Sequence, residues 1–208
     1  LDAITSSDDR IQELTRQKEE LYNKVKASAR LLTDMRTITA QEIEKQMQAY
    51  LVPLGMPNVR FAVELTPRKE PDATGMDNVN FLFSANKNGT LQQVASIASG
   101  GEIARVMLSL KAMIAGAVKL PTIIFDEIDT GVSGSVADRM GSMICEMGGH
   151  MQVFAITHLP QVAAKGKAHY LVSKEIDPVS STAVSTISRL SDDQRVMEVA
   201  RMLSGSVL

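Results

Sequence analysis

The sequence predicts an α/β fold: a mainly parallel sheet with helices on its faces, preceded by a helical arm. Three observations predict it. Strand-like and helix-like segments alternate from Ser99 onward. Two segments, 121–126 and 151–156, are nearly all apolar, as strands covered on both faces should be. Residues 4–35 repeat apolar side chains with a heptad period. The expected division is 1–50 for the arm end and its connecting helix, and 51–208 for the α/β lobe.

The elements follow in order. Ile4, Ile11, Val25 and Leu32 share one heptad position and Leu14, Leu21 and Met35 the other, with Ser7, Lys18 and Ser28 interrupting. That pattern suits either the end of a coiled coil or a single amphipathic helix lying on the domain. Helical character continues through Gln41–Tyr50 and must stop near Pro53 and Gly55. Residues 59–65 and 79–83 alternate as strands, with a polar loop expected from Pro67 to Gly75 and a tight turn at Asn88-Gly89. Beyond them the pattern predicts helices over 100–117, 133–147, 160–165 and 191–203, and strands over 121–126, 151–156, 168–174 and 182–189. The buried stripe of the first of these helices is expected at Ile103, Val106, Met107, Leu110 and Ile114. That of the second is expected at Val132, Val136, Met140, Met143, Ile144 and Met147.

Bulk properties narrow the function. The chain has 208 residues, 44% hydrophobic and 22% charged, which is enough for one sizeable core with an extension. A net charge of −2 excludes an overall polycation, so nucleic-acid contact would need a local patch or a partner segment. Lys165, Lys167 and His169 form one small basic cluster, which a solvated loop explains equally well. The lone Cys145 cannot form an intrachain disulfide, which fits a reducing cytosol, and its apolar neighbours predict a buried thiol. No apolar run reaches the roughly 18–20 residues that span a bilayer, and no signal peptide opens the chain. The first residue is Leu1, which points to a piece of a longer protein.

Three motifs carry chemistry. Ser99-Gly100-Gly101-Glu102 opens a helix, and Ser99 and Glu102 have capping-box spacing. Two glycines at a helix start let a phosphate approach free N–H groups where the helix dipole favours negative charge. Taken alone, the same four residues describe a capped helix without a ligand. Ile123-Ile124-Phe125-Asp126-Glu127 is an apolar strand delivering two carboxylates at its carboxyl end, where open α/β sheets bind ligands. Adjacent residues on a strand point to opposite sides, so Asp126 can serve Mg²⁺ while Glu127 faces an attacking water as general base. Ile156-Thr157-His158 ends the next apolar strand, from which His158 can reach a γ-phosphate or that water. Asp129-Thr130-Gly131-Val132-Ser133-Gly134 suits a loop lying against another surface, such as a second head. In this order and spacing the motifs read as the second half of an ATP-hydrolysing head of the ABC type. The first half is missing: no G-x-x-x-x-G-K followed by Ser or Thr occurs, and Gly166-Lys167 is followed by Ala168.

The stretches 97–102, 125–134 and 156–164 together resemble the bacterial RecN family, DNA double-strand-break repair proteins related to the structural-maintenance-of-chromosomes (SMC) ATPases. The run Thr157-His158-Leu159-Pro160-Gln161-Val162-Ala163 discriminates best, and the similarity extends through 54–58, 61–65 and 198–203. The resemblance implies that an N-terminal head segment carries the phosphate loop, and that residues 1–35 are the end of a returning coiled-coil arm. It implies that Ser99, Gly100, Gly101 and Glu102 act in trans on ATP held by a second head, with Asp129 at the head–head interface. Asp126 would hold Mg²⁺, Glu127 the water, and His158 the γ-phosphate. The implied protein is a cytoplasmic, nucleoid-associated ATPase that dimerises through its heads and acts on DNA in recombinational repair, without a membrane partner. A non-catalytic docking or dimerisation module is the alternative, and an ABC transporter subunit a more distant one.

Overall fold

A computed structural model describes residues 2–97, 99–118, 120–126, 128–176 and 183–204; the side chains of residues 2–7, 116, 175 and 176 are not described. The chain divides into two compact units. One comprises residues 1–48 and 59–96, the other residues 49–58 and 97–208.

In the first unit, helix α1 (Asp2–Leu51) contributes residues up to Gln48 and packs beside a sheet of β1 (Arg60–Asp72), β2 (Gly75–Ser84) and β3 (Gln92–Gln93). The sheet is antiparallel in the order β1-β2-β3, followed by a 3-10 turn at Val94–Ser96. The helix does not use its heptad stripe for this packing. Ala29, Ala40 and Met47 are buried, whereas Ile11, Leu14, Leu21, Val25 and Met35 stand exposed and Leu32 is half-buried. Polar contacts fix the helix on the hairpin. Thr33 and Arg36 both donate to the buried carboxylate of Asp77, at 2.7 and 3.2 Å, and the Val63 N–H donates to Glu44 at 2.8 Å.

The expected polar loop at 67–75 is strand for most of its length. β1 runs through to Asp72 and the turn contracts to Ala73-Thr74. Because β1 is an edge strand, Pro67 costs the ladder little. The Asp72 carboxylate then closes the turn by accepting from the Thr74 N–H at 2.7 Å and from its hydroxyl at 2.6 Å.

In the second unit, α2 (Gly100–Ala117), β4 (Thr122–Asp126), α3 (Gly134–Met147), β5 (Gln152–Ile156) and α4 (Pro160–Ala163) precede the hairpin β6 (Tyr170–Ile176)–β7 (Ala183–Arg189) and α5 (Asp192–Ser204). The parallel pairing expected of the sheet is found between β4 and β5, in register from Thr122↔Gln152 to Asp126↔Ile156. β6 and β7 pair antiparallel, from Tyr170↔Arg189 to Ile176↔Ala183; the six residues between them are too few for the crossover a parallel pair needs.

The core gathers Leu54, Leu108, Phe125, Ile128, Val132, Met140, Met143, Ile144, Met147 and Val162. The stripe of α3 is as expected, extended by Ala137 and Gly141, with Val136 packing at its edge. That of α2 is not. Its Leu108 and Ala115 enter the core with Ala104 and Ala112 beside them, and Met107 and Ile114 point outward. Cys145, expected buried, is exposed, since it follows Ile144 onto the outer side of α3. Nor are β4 and β5 covered on both faces. Phe125 is buried, but Ile124 is 61% exposed, Phe154 45% and Ile156 55%, so one face of the pair is bare apolar surface. Lys165 bonds Asp138 on α3 at 2.9 Å, which separates it from the rest of the expected basic cluster.

Candidate functional site

Parallel pairing of β4 with β5 brings their carboxyl ends to one edge. Asp126, the last residue of β4, lies opposite Ile156, so the two strands end side by side. Asp126 is exposed at that edge. Glu127, the expected general base, lies outside the described residues.

The chain after β4 is anchored at both ends by core side chains, Ile128 and Val132, and Asp129 between them is 0% exposed. The carboxylate of Asp129, a residue expected at a head–head interface, is enclosed by its own chain. The Thr157 hydroxyl donates to Oδ2 of Asp129 and accepts the Leu159 N–H at 3.0 Å, while Nδ1 of His158 stands 3.6 Å from Oδ1. The side chain of His158 is otherwise open, 70% exposed. Gly131 and Gly134 hold φ of +71° and +57°, which lets the loop turn into α3 where a side chain at either position would be strained.

The start of α2 lies beside this loop. A Cβ on Gly101 would stand 3.4 Å from the Thr130 carbonyl oxygen. Arg105 holds the helix in place, donating through Nε to the Gly101 carbonyl and through Nη1 to that of Leu54, both at 2.9 Å. The capping box expected of Ser99 and Glu102 does not form. Ser99 caps α2 with its carbonyl, which accepts the Ile103 N–H at 3.0 Å, and its hydroxyl makes no cap bond. The first N–H groups of α2 thus keep no side-chain partner, at a helix end that is exposed at Ser99 and Gly100. The structure brings Asp126, Thr157, His158 and the Asp129 loop to one sheet edge, with the α2 start on that loop. Sequence reasoning missed Arg105 and Thr157; a polar residue next to a motif histidine was the available signal for the second.

These residues fit the groups that the motifs imply. An unblocked glycine helix start accepts phosphate oxygens, and an exposed carboxylate such as Asp126 suffices for Mg²⁺, which takes its remaining ligands from nucleotide and water. Among the described residues no group of three or more His, Cys, Asp or Glu side chains could hold a metal by itself.

The fold is that of the C-terminal half of an ABC-type head, as found in SMC head domains. The head domain of Smc with a coiled coil and joint from Pyrococcus yayanosii matches with a TM-score of 0.61 at 20% identity, over 93% of this chain and 37% of that one. A structure from work on ATP-driven dimerisation and DNA-stimulated activation of SMC ATPases matches at 0.54 and 20% identity, over 85% and 98%. At such identities the likeness is one of fold. Sequence relatives are nearer. The DNA repair protein RecN of Halalkalibacterium halodurans is 36% identical over 209 residues, and that of Xylella fastidiosa strain 9a5c 34% over 207; each comparison covers 99% of this chain and 37% of the relative. RecN of Rickettsia conorii is 37% identical over 196 residues, 94% of this chain and 35% of the relative. Over the segment it spans the chain is similar to RecN proteins, and that segment is a little over a third of the length of these relatives. No family profile matches it.

Proposed function

We propose that this chain supplies the C-terminal part of a RecN-type head that binds and hydrolyses ATP across a head dimer and thereby acts on DNA in double-strand-break repair. The observation that carries the reading is the shared edge of β4 and β5, where Asp126 and the Asp129–Thr157–His158 cluster meet beside the unblocked start of α2. Ser99, Gly100 and Gly101 bind the γ-phosphate of ATP held by a second head, with Glu102 beside them in the first turn of α2. Asp126 holds Mg²⁺, which neutralises charge on the phosphates when bound. Glu127 takes a proton from the attacking water, and His158 orients the γ-phosphate or that water.

A segment carrying the phosphate loop completes the head and covers the bare face formed by Ile124, Phe154 and Ile156, whose exposure would otherwise favour self-association. Residues 1–50 are the end of a returning coiled-coil arm, whose outgoing partner covers Ile11, Leu14, Leu21, Val25 and Met35. Among the described residues no helix is long and apolar enough to cross a membrane.

The test is ATP hydrolysis by this chain alone and after mixing with a separately prepared phosphate-loop segment. Turnover confined to the mixture and abolished by Glu127→Gln, with a nucleotide-bound dimer accumulating, supports the split site. Turnover unaffected by Glu127→Gln removes that residue as the base. Association without any turnover favours the docking-module alternative.

A further inference from the structure

We infer that Asp129 is a positioning residue for His158: a buried carboxylate that holds the imidazole by Nδ1 and aims Nε2 outward at the reacting phosphate or water. The inference rests on the ATPase reading above and adds to it a residue with no place of its own in that chemistry.

Four observations meet here. Asp129 is 0% exposed, and its two oxygens have different fates. Oδ2 accepts the Thr157 hydroxyl, whereas Oδ1 is buried with no hydrogen-bond partner among the described residues. A buried carboxylate oxygen lacking a donor is costly and seldom retained without a reason. Nδ1 of His158 stands 3.6 Å from it, an ion-pair distance longer than a hydrogen bond, and would serve it on closer approach. Finally, the two sides differ in freedom. Asp129 is pinned by Ile128 and Val132 in the core and by the Val132 N–H, which donates to its carbonyl at 3.2 Å, while the His158 side chain is 70% exposed. The carboxylate is thus the fixed member and the ring the movable one.

The proton count follows from Thr157. Its oxygen accepts the Leu159 N–H, and its one proton goes to Asp129 Oδ2. Among the described residues Oδ1 therefore has His158 from which to accept, which requires the ring proton on Nδ1. Neutral His158 then carries a bare Nε2, able to accept a proton from water. In the imidazolium form Nε2–H donates to a phosphate oxygen, and the carboxylate behind Nδ1 stabilises the added charge.

Asparagine at 129 should reverse this arrangement. The Thr157 hydroxyl still requires an acceptor and holds the amide oxygen, so the amide NH₂ turns toward His158. It donates to Nδ1 and drives the ring proton to Nε2. The experiment is nitrogen-15 NMR of the histidine-labelled chain above the imidazole titration, with the His158 signals assigned by their loss in His158→Gln. Protonated Nδ1 in the wild type, moving to protonated Nε2 in Asp129→Asn, is the expected result. A bare Nδ1 in the wild type overturns the inference by itself, and this spectrum decides the matter even if the variant does not fold. An unchanged tautomer in a folded Asp129→Asn overturns it too.

In the ATPase mixture, Asp129→Asn should lower kcat by roughly 100-fold with KM for ATP little changed, the scale expected when a reacting group is misaligned. A reversed tautomer with unchanged kcat overturns the positioning role. Absence of hydrolysis in the wild-type mixture would instead remove the ATPase reading, leaving the tautomer result to decide the Asp129–His158 contact.

Discussion

A Cβ added to Gly141 would lie 3.1 Å from the Cα of Val162 and 3.1 Å from the Gln161 carbonyl oxygen, so α3 and α4 meet backbone to backbone. The atoms met are main chain and cannot swing aside. Gly141→Ala gains about 1 kcal/mol of helix propensity but must separate the two helices, an overpacking cost of about 1–3 kcal/mol. The expected net result is a loss of stability, read as a lower urea midpoint with unchanged slope. A raised midpoint would show that α4 yields freely.

Phe125 forms the buried side of β4, 1% exposed, with the Lys111 ammonium 5.1 Å from its ring centre. Phe125→Ala should cost about 3–5 kcal/mol through lost burial and the cavity left behind. Because the next residue is Asp126, the same change should weaken Mg²⁺-dependent nucleotide binding in the completed head. Phe125→Leu should lose much less on both counts. Thermal melts and nucleotide titration would separate the two effects.

In the other unit, Asp77 is buried and serves Thr33 and Arg36 at once. Asp77→Ala leaves a half-buried guanidinium and a hydroxyl without their acceptor, at a cost of about 1.5–3 kcal/mol for a hydrogen bond to a charged group. Hydrogen exchange should speed up in α1 around residues 29–40 and in β2, while β4 and β5 keep their protection. Uniform loss of protection across the chain would contradict the division into two units.

Tyr22 donates to Glu70 at 2.7 Å, and this bond raises the phenol above its ordinary value of 10.0. The folded state thus holds the phenolic proton more tightly than the unfolded chain. The contribution of the contact is complete below the unfolded pKa and is lost as pH rises through the folded one. Ultraviolet titration of the three tyrosines should show one late component that moves earlier in Glu70→Gln. If the curve does not change, the Tyr22–Glu70 bond does not persist in solution.

The order and type of the elements were legible because apolar runs, glycines and prolines punctuate the chain unambiguously; α2 over 100–117 is one instance. Which face of α2 is buried was not legible. Its large apolar residues, Met107 and Ile114, stand outward while Ala104, Ala112 and Ala115 pack inward, so the side chains that dominate a periodicity count are the misleading ones. The burial of Asp129 was not legible in a loop of glycines and short polar residues. Its acceptor role depends on Thr157, 28 residues further on, and only the pairing of β4 with β5 brings the two together. The bare face of the β4–β5 pair could not be foreseen either, since an apolar strand looks the same in sequence whether or not its partner layer is present.

Met140, Met143 and Met147 line the inner side of α3 at 0%, 2% and 4% exposure. Thioethers are the side chains that oxidants convert most readily to polar sulfoxides, and a sulfoxide at any of these positions would wedge open the core. Folding itself shields them. The interval between synthesis and burial is therefore the vulnerable period, and a molecule oxidised in that interval would carry intact motifs on a lobe unable to close around its own core.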